Sequence, residues 1–230
     1  MDIRQLLRTN QQQDGGFSAW WSGDRSSLDA TCFRLTQAEQ LGMGIEETAI
    51  RHALQFLRTD QNTDGSWEED DDLVEIAPFW VKPGDLSTRL YLTANCGFWL
   101  GMLAPGSQAA IGAATCLQAH LKENGRLLSF LQAQWLACGL WHRLGLNAPS
   151  AKILAYLQTR YSDLEAGNLA WMMNTLIIAG LPSGTPLVRN SADRLVGLQA
   201  ADGHWSGEDA SQDVHTTLVA LRALLFMGDH

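Results

Sequence analysis

Gln61-Asn62-Thr63-Asp64-Gly65-Ser66-Trp67 has two close variants elsewhere in the chain, Gln11-Gln12-Gln13-Asp14-Gly15-Gly16-Phe17 and Gln199-Ala200-Ala201-Asp202-Gly203-His204-Trp205. All three read Gln-x-x-Asp-Gly-x-aromatic. Each follows a helix-like run and precedes another apolar periodic segment, which is the mark of a repeat architecture. The motif has a mechanical reading. Gly permits a sharp reversal, and Asp bonds its own backbone or caps the next helix. Gln satisfies neighbouring backbone groups, and the aromatic ring covers the join between repeats.

The segments between the motifs fall into two sets. One set is apolar nearly all round: Leu28–Leu41, Leu86–Leu100, Leu127–Leu144, Leu164–Ala179 and Asp213–Met227, each followed by a glycine (Gly42, Gly101, Gly145, Gly180, Gly228) of the kind that ends helices in the left-handed conformation. The other set is interrupted by charges such as Arg51, Lys152 and Arg189. It covers approximately Ile3–Thr9, Ile45–Arg58, Ser107–Leu121, Ser150–Tyr161 and Pro186–Leu198, with Pro105, Pro149 and Pro186 at or near its starts. A helix apolar all round is buried on two sides, and a striped one lies on the surface. The expectation is an all-α fold, an α/α toroid of about five hairpins with inner and outer layers. It forms a single domain over residues 1–230, with repeats near 1–42, 43–101, 102–145, 146–180 and 181–230. Repeats three and four keep the helices but lose the motif, at Asn124-Gly125 and Gln158 to Asp163.

A chain of 230 residues suffices for one sizeable core. The net charge of -9, with no Lys/Arg cluster, argues against a nucleic-acid surface. Cys32, Cys96, Cys116 and Cys138 lie far apart among apolar residues, which fits buried free thiols in a reducing compartment. The N-terminus does not read as a signal peptide, and no apolar run reaches spanning length. A soluble, cytoplasmic protein is expected, with peripheral membrane contact left open.

Glutamine and tryptophan at this spacing, repeated between helices, resemble the QW repeats of squalene–hopene and oxidosqualene cyclases. The same repeat class is found in protein prenyltransferase β subunits. The resemblance covers most of the chain and makes it similar to a short, single-domain member. It implies an apolar central cavity suited to an isoprenoid chain. Closed toroids of that class have six hairpins, so a ring of five is open or is completed by a partner.

The resemblance also implies where chemistry would sit. Squalene-type cyclases protonate an alkene or epoxide with an Asp at the start of an inner helix, in Asp-x-Asp-Asp-Thr-Ala or Asp-Cys-Thr-Ala. Here Asp29-Ala30-Thr31-Cys32 resembles the second form. Asp213-Val214-His215-Thr216 stands where the first would, with His215 in place of the acid. Asp29 is the candidate acid, Asp213 and His215 are candidate helpers, and helix capping is the plain alternative for both aspartates. Cavity-lining candidates are Thr31, Phe79, Trp80, Trp99, Trp135 and Trp171, since aromatic faces attract carbocations. Phe79 and Trp80 belong to the long connection that follows the acidic run Glu68 to Glu75, a candidate lid. That run contains Asp-Asp-x-x-Glu but reads best as a solvated loop.

In prenyltransferases Asp, Cys and His bind zinc. The matching Asp-x-Cys is missing here, so no metal and no cofactor are expected. The toroid is also shared by the thioester-bearing domains of complement-like proteins, whose Gly-Cys-Gly-Glu-Gln is absent. The function expected is acid-initiated cyclisation of an isoprenoid-like chain. The alternative is a non-catalytic lipid-binding or prenyltransferase-like subunit that needs a partner.

Overall fold

The computed structural model describes residues 10–20 and 23–228. The fold is all-α, in the order α1 (Leu28–Gln40), α2 (Thr48–Thr59), α3 (Leu86–Leu103), α4 (Gln108–His120), α5 (Leu131–Arg143), α6 (Asn147–Gln158), α7 (Ala166–Ile178), α8 (Pro186–Gly197) and α9 (Asp213–Gly228). A two-residue antiparallel pair, β1 (Phe17–Ser18) with β2 (Ser26–Ser27), precedes α1. The helix expected over Ile3–Thr9 lies outside the described residues. These helices alternate between the two sets expected from the sequence, giving α-helical hairpins joined by glycine turns.

Several helix ends differ from expectation, for local reasons. Gly42, Gly145 and Gly180 do take positive φ just beyond α1, α5 and α7. Gly101 does not end α3, which runs on through Leu103. The stop comes at Ala104, which precedes Pro105 and leaves the helical region at φ -135, ψ 68. Helix α5 begins at Leu131 rather than Leu127. The residues before it are held as a loop, with the Ser129 hydroxyl donating to the Ser87 carbonyl (2.6 Å).

The described residues divide into two compact units, those up to 122 with 127–133, and 123–126 with those from 134 onward. In the first, α3 packs against α1, α2 and α4. Every residue of α3 from Leu90 to Gly101 is buried, as its nearly charge-free sequence requires. Each large apolar side chain there contributes about 1.5–3 kcal/mol. Helix α2 buries only the stripe Ala49, Ile50, Ala53, Leu54 and Leu57, with Phe56 beside it. In the second unit α7 packs against α8 and α9, and α6 against α8. Helix α9 departs from the expectation that apolar helices are covered on both sides, because Val214, Leu218, Leu221 and Leu225 are exposed.

The Gln-x-x-Asp-Gly-x-aromatic turns share one geometry. In each, the residue after Gln donates its amide to the carbonyl of the residue before the aromatic: Gln12 to Gly16, Asn62 to Ser66 and Ala200 to His204, at 2.8–2.9 Å. The Gln side chain closes the turn on the Gly carbonyl, from Gln11 to Gly15, Gln61 to Gly65 and Gln199 to Gly203. In the first two copies it also reaches the second residue of the next striped helix, Ala49 of α2 or Ala109 of α4. The aromatic residue's amide is held by a threonine hydroxyl on the following apolar helix: Phe17 by Thr31, Trp67 by Thr93 and Trp205 by Thr217, at 2.9–3.1 Å. The indoles of Trp67 and Trp205 donate back to Leu57 and Leu195 (both 2.7 Å). Each turn therefore ties together its own two helices, and the first two also hold the next hairpin.

Candidate functional site

Asp29 is the second residue of α1, and the structure gives the capping role to other groups. Ser27 is the N-cap, its hydroxyl accepting from the Ala30 amide (3.1 Å). The Glu69 carboxylate, arriving from the acidic run, accepts from the amides of Leu28 and Asp29 (both 3.0 Å) and from the Ser27 hydroxyl (2.7 Å). A carboxylate at a helix N-terminus meets unpaired N–H groups and the positive end of the dipole. The reading of Asp29 as a cap therefore does not hold, and its carboxylate is left free for other partners.

Those partners are three aromatic donors from three parts of the first unit. The indoles of Trp20 and Trp80 donate to Oδ2 (3.3 and 3.2 Å), and the Tyr91 hydroxyl donates to Oδ1 (3.1 Å). Asn95, one turn along α3 from Tyr91, donates to the tyrosine oxygen (3.4 Å). Asp29 keeps part of its surface open, yet its carboxyl is densely surrounded. Burial raises its proton affinity above the ordinary carboxylate value, and the three donors partly offset this. Burial also pushes Glu69 up to about 7, with the charge of Asp29 adding to the rise against its own hydrogen bonds. Tyr91 is raised well above its ordinary value, first by burial and then by Asp29, so it is a donor throughout the physiological range.

The loop after Glu68 is anchored rather than loosely solvated. Glu69 is buried at the α1 N-terminus, Glu68 accepts from the Gly84 amide (2.6 Å), and Asp72 pairs with Arg25 (2.5 Å). Asp70 caps the short 3₁₀ turn Asp71–Leu73. The acids of the Asp-Asp-x-x-Glu pattern are thus partly used in holding the loop. Among the described residues no group of three or more His, Cys, Asp or Glu side chains is placed to hold a metal ion. The anchored loop delivers Trp80 to Asp29 and leaves Phe79 75% exposed. Phe79 stands edge-on to Trp80 and Phe130 (5.2 and 6.4 Å between centroids), and Phe130 stands edge-on to Tyr91 (6.2 Å).

The other sequence candidates have different surroundings. Thr31 is buried and holds the Phe17 amide while donating to the Ser27 carbonyl, so it belongs to the turn brace rather than to a cavity wall. Trp99 is buried on α3, edge-on to Phe98 (5.2 Å). Trp135 and Trp171 stand edge-on to each other in the second unit (5.4 Å). Asp213 accepts from the Gly207 amide (2.8 Å) and lies 3.8 Å from the His204 ring, where it holds the turn before α9. His215 is exposed. An open groove in the second unit is lined by Tyr161, Asn190, Asp193 and Arg194 among others, and contains none of the candidates.

Sequence reasoning missed Glu69, Tyr91 and Trp20. Glu69 is one acid in a run of like residues, with nothing local to single it out. Tyr91 carried a faint signal as the one phenol in a nearly charge-free helix.

Successive α-helical hairpins joined by glycine turns place the chain in the α/α-hairpin class. The family model of the A-macroglobulin TED domain matches residues 4–121, and the chain belongs to that family. Its thioester sequence, Gly-Cys-Gly-Glu-Gln, is missing from this chain. A crystal structure of a protein from Actinoplanes shares the fold at a TM-score of 0.62 and 17% identity, over 98% of this chain and 82% of that one. No curated protein matches the sequence. Among the described residues no helix is long and apolar enough to cross a membrane.

Proposed function

We propose that the protein binds an apolar, isoprenoid-like chain and that Asp29 starts its cyclisation as a Brønsted acid. The observation that supports this most is the carboxyl group bound by Trp20, Trp80 and Tyr91. A carboxylate offers about four acceptor positions. Three are taken, which leaves one on Oδ1 for a proton. Burial favours holding that proton, and the three donors stabilise the anion once it is given up.

In the proposed step the O–H bond of Asp29 breaks, a C–H bond forms on an alkene carbon, and the π bond becomes a carbocation on the neighbouring carbon. Ring closure moves the cation along the chain. Loss of a proton to solvent ends the reaction, and solvent returns a proton to Asp29. The aromatic groups near Asp29 suit this chemistry, because ring faces attract a cation without attacking it.

The test is incubation of the purified protein with linear polyprenyl alkenes, epoxides and diphosphates, followed by mass-spectrometric product analysis. Cyclised product is expected from the native protein. Asp29→Asn should lose at least about 100-fold of the rate, as removal of a general acid does, while keeping its helical circular dichroism. Undiminished turnover by Asp29→Asn, or no cyclised product from the native protein, would show the assignment to be wrong.

A further inference from the structure

Cys32 of α1 and Cys96 of α3 meet where the two helices pack, with their Sγ atoms 3.7 Å apart. Both side chains are fully buried. A disulfide holds its sulfurs at about 2.0 Å, so closure asks for an approach of roughly 1.7 Å, which side-chain rotation and a small shift between helices supply. The other two cysteines have different surroundings. Cys138 contacts the hydroxyl and carbonyl oxygens of Ser150 (3.7 and 3.9 Å), and Cys116 is half-buried on α4. All four are free thiols in this structure.

We propose that Cys32 and Cys96 are a disulfide-forming pair, which a small disulfide such as oxidised glutathione converts into a covalent staple between α1 and α3. One cysteine thiolate attacks a sulfur of the small disulfide, whose S–S bond breaks and releases one small thiol. The other cysteine attacks the resulting mixed disulfide and releases the second small thiol. The protein gives up two electrons and two protons, and the small disulfide takes them up as two thiols.

The surroundings set how the pair reacts. Burial raises the proton affinity of both thiols above the ordinary value, so the nucleophilic thiolate is scarce while the helices are packed. Exchange therefore proceeds through brief local opening of α1 from α3, and the same packing then shields the closed bond from reductants. A reducing compartment keeps the dithiol, and an oxidising one closes it.

The position of the bond gives it a consequence. Cys32 follows Asp29 by about one turn of α1, and Cys96 adjoins Asn95, the partner of Tyr91. The staple joins the two helices that carry the carboxyl group and its phenol donor. Its cysteines are 64 positions apart, and the loop between them contains Glu69 and Trp80. Closing such a loop restricts the unfolded chain and raises the folding constant by about 30- to 1,000-fold.

The test involves no turnover, so its outcome is independent of the acid assignment to Asp29. The full chain is equilibrated with oxidised glutathione in urea below its unfolding midpoint, which populates local opening while the fold persists. After denaturation and alkylation, non-reducing mass spectrometry is expected to show the loss of two hydrogen atoms, a peptide pair joining Cys32 to Cys96, and alkylated Cys116 and Cys138. The folding constant of the oxidised form should exceed that of the dithiothreitol-reduced form by about 30- to 1,000-fold. Cys138→Ala should keep this redox dependence, and Cys32→Ala and Cys96→Ala should each abolish it. Each variant is compared with its own reduced form, so any cost of the substitution itself cancels. Four alkylated thiols, a disulfide through Cys116 or Cys138, glutathione adducts without the internal bond, or an oxidised form no more stable than the reduced one overturns the proposal.

Discussion

At Asp29 burial and hydrogen bonding act in opposite directions on the carboxyl proton. Burial alone would make the carboxyl a poor acid, and three donors alone would leave it ionised. Their combination sets the direction of each substitution. Tyr91→Phe removes a donor to the anion, so the Asp29 proton affinity should rise further. A rate that needs protonated Asp29 falls as pH rises through its pKa, and in Tyr91→Phe that fall should move to higher pH, with a lower maximal rate. A pH–rate profile of both proteins checks this.

Glu69 allows a stability test that does not depend on turnover. Its folded pKa of about 7 stands above the ordinary 4.5, so between those values the folded state binds more protons than the unfolded one. The stabilising contribution is complete below about pH 4.5 and is lost as pH rises through 7. Glu69→Gln cannot titrate and should flatten this dependence, removing a slope worth on the order of 1–3 kcal/mol across the window. Urea unfolding of both proteins between pH 4.5 and 8 measures it. An equally steep decline in Glu69→Gln would assign the dependence to other groups.

At the scale of elements, the turns are braces whose parts can be separated by substitution. Gly65 has φ +84 and lies against the Gly112 backbone, whereas a Cβ on Gly203, with φ +93, would meet among the described residues only the Gln199 side chain, at 3.9 Å. Gly203→Ala should cost only the left-handed conformation, about 1–2 kcal/mol. Gly65→Ala adds a collision between backbones and should cost on the order of 3 kcal/mol or more. The difference between the two midpoints of unfolding reports how much the turn contributes by seating the next hairpin. Thr93→Val leaves the buried Trp67 amide without its partner and should cost about 1–3 kcal/mol.

These braces were legible in the sequence because a turn's demands are local. Asp-Gly and a helix-ending Leu advertise a reversal wherever they occur. Thr31 was misread for the opposite reason. Its place beside Asp29 in sequence suggested a shared cavity, but its hydroxyl points back to the Phe17 amide. Asp29 itself was picked out by the resemblance of Asp29-Ala30-Thr31-Cys32, at the start of an apolar helix, to the Asp-Cys-Thr-Ala of squalene-type cyclases. That Ser27 and Glu69 would cap the helix in its place depends on a residue about 40 positions away.

For the whole molecule, the described chain folds as two compact units, with the first two braced turns in one and the third in the other.

The sequence by itself determined the helices, their alternation of apolar and striped faces, and the reversals between them. These follow from periodicity, glycine and proline, which act over a few residues. Tertiary structure alone decided which acids are buried, which aromatic groups converge on Asp29, and which apolar face of α9 is left uncovered. Those outcomes depend on segments far apart in the chain meeting in space. The same leucine spacing reads identically whether a neighbouring helix covers it or not.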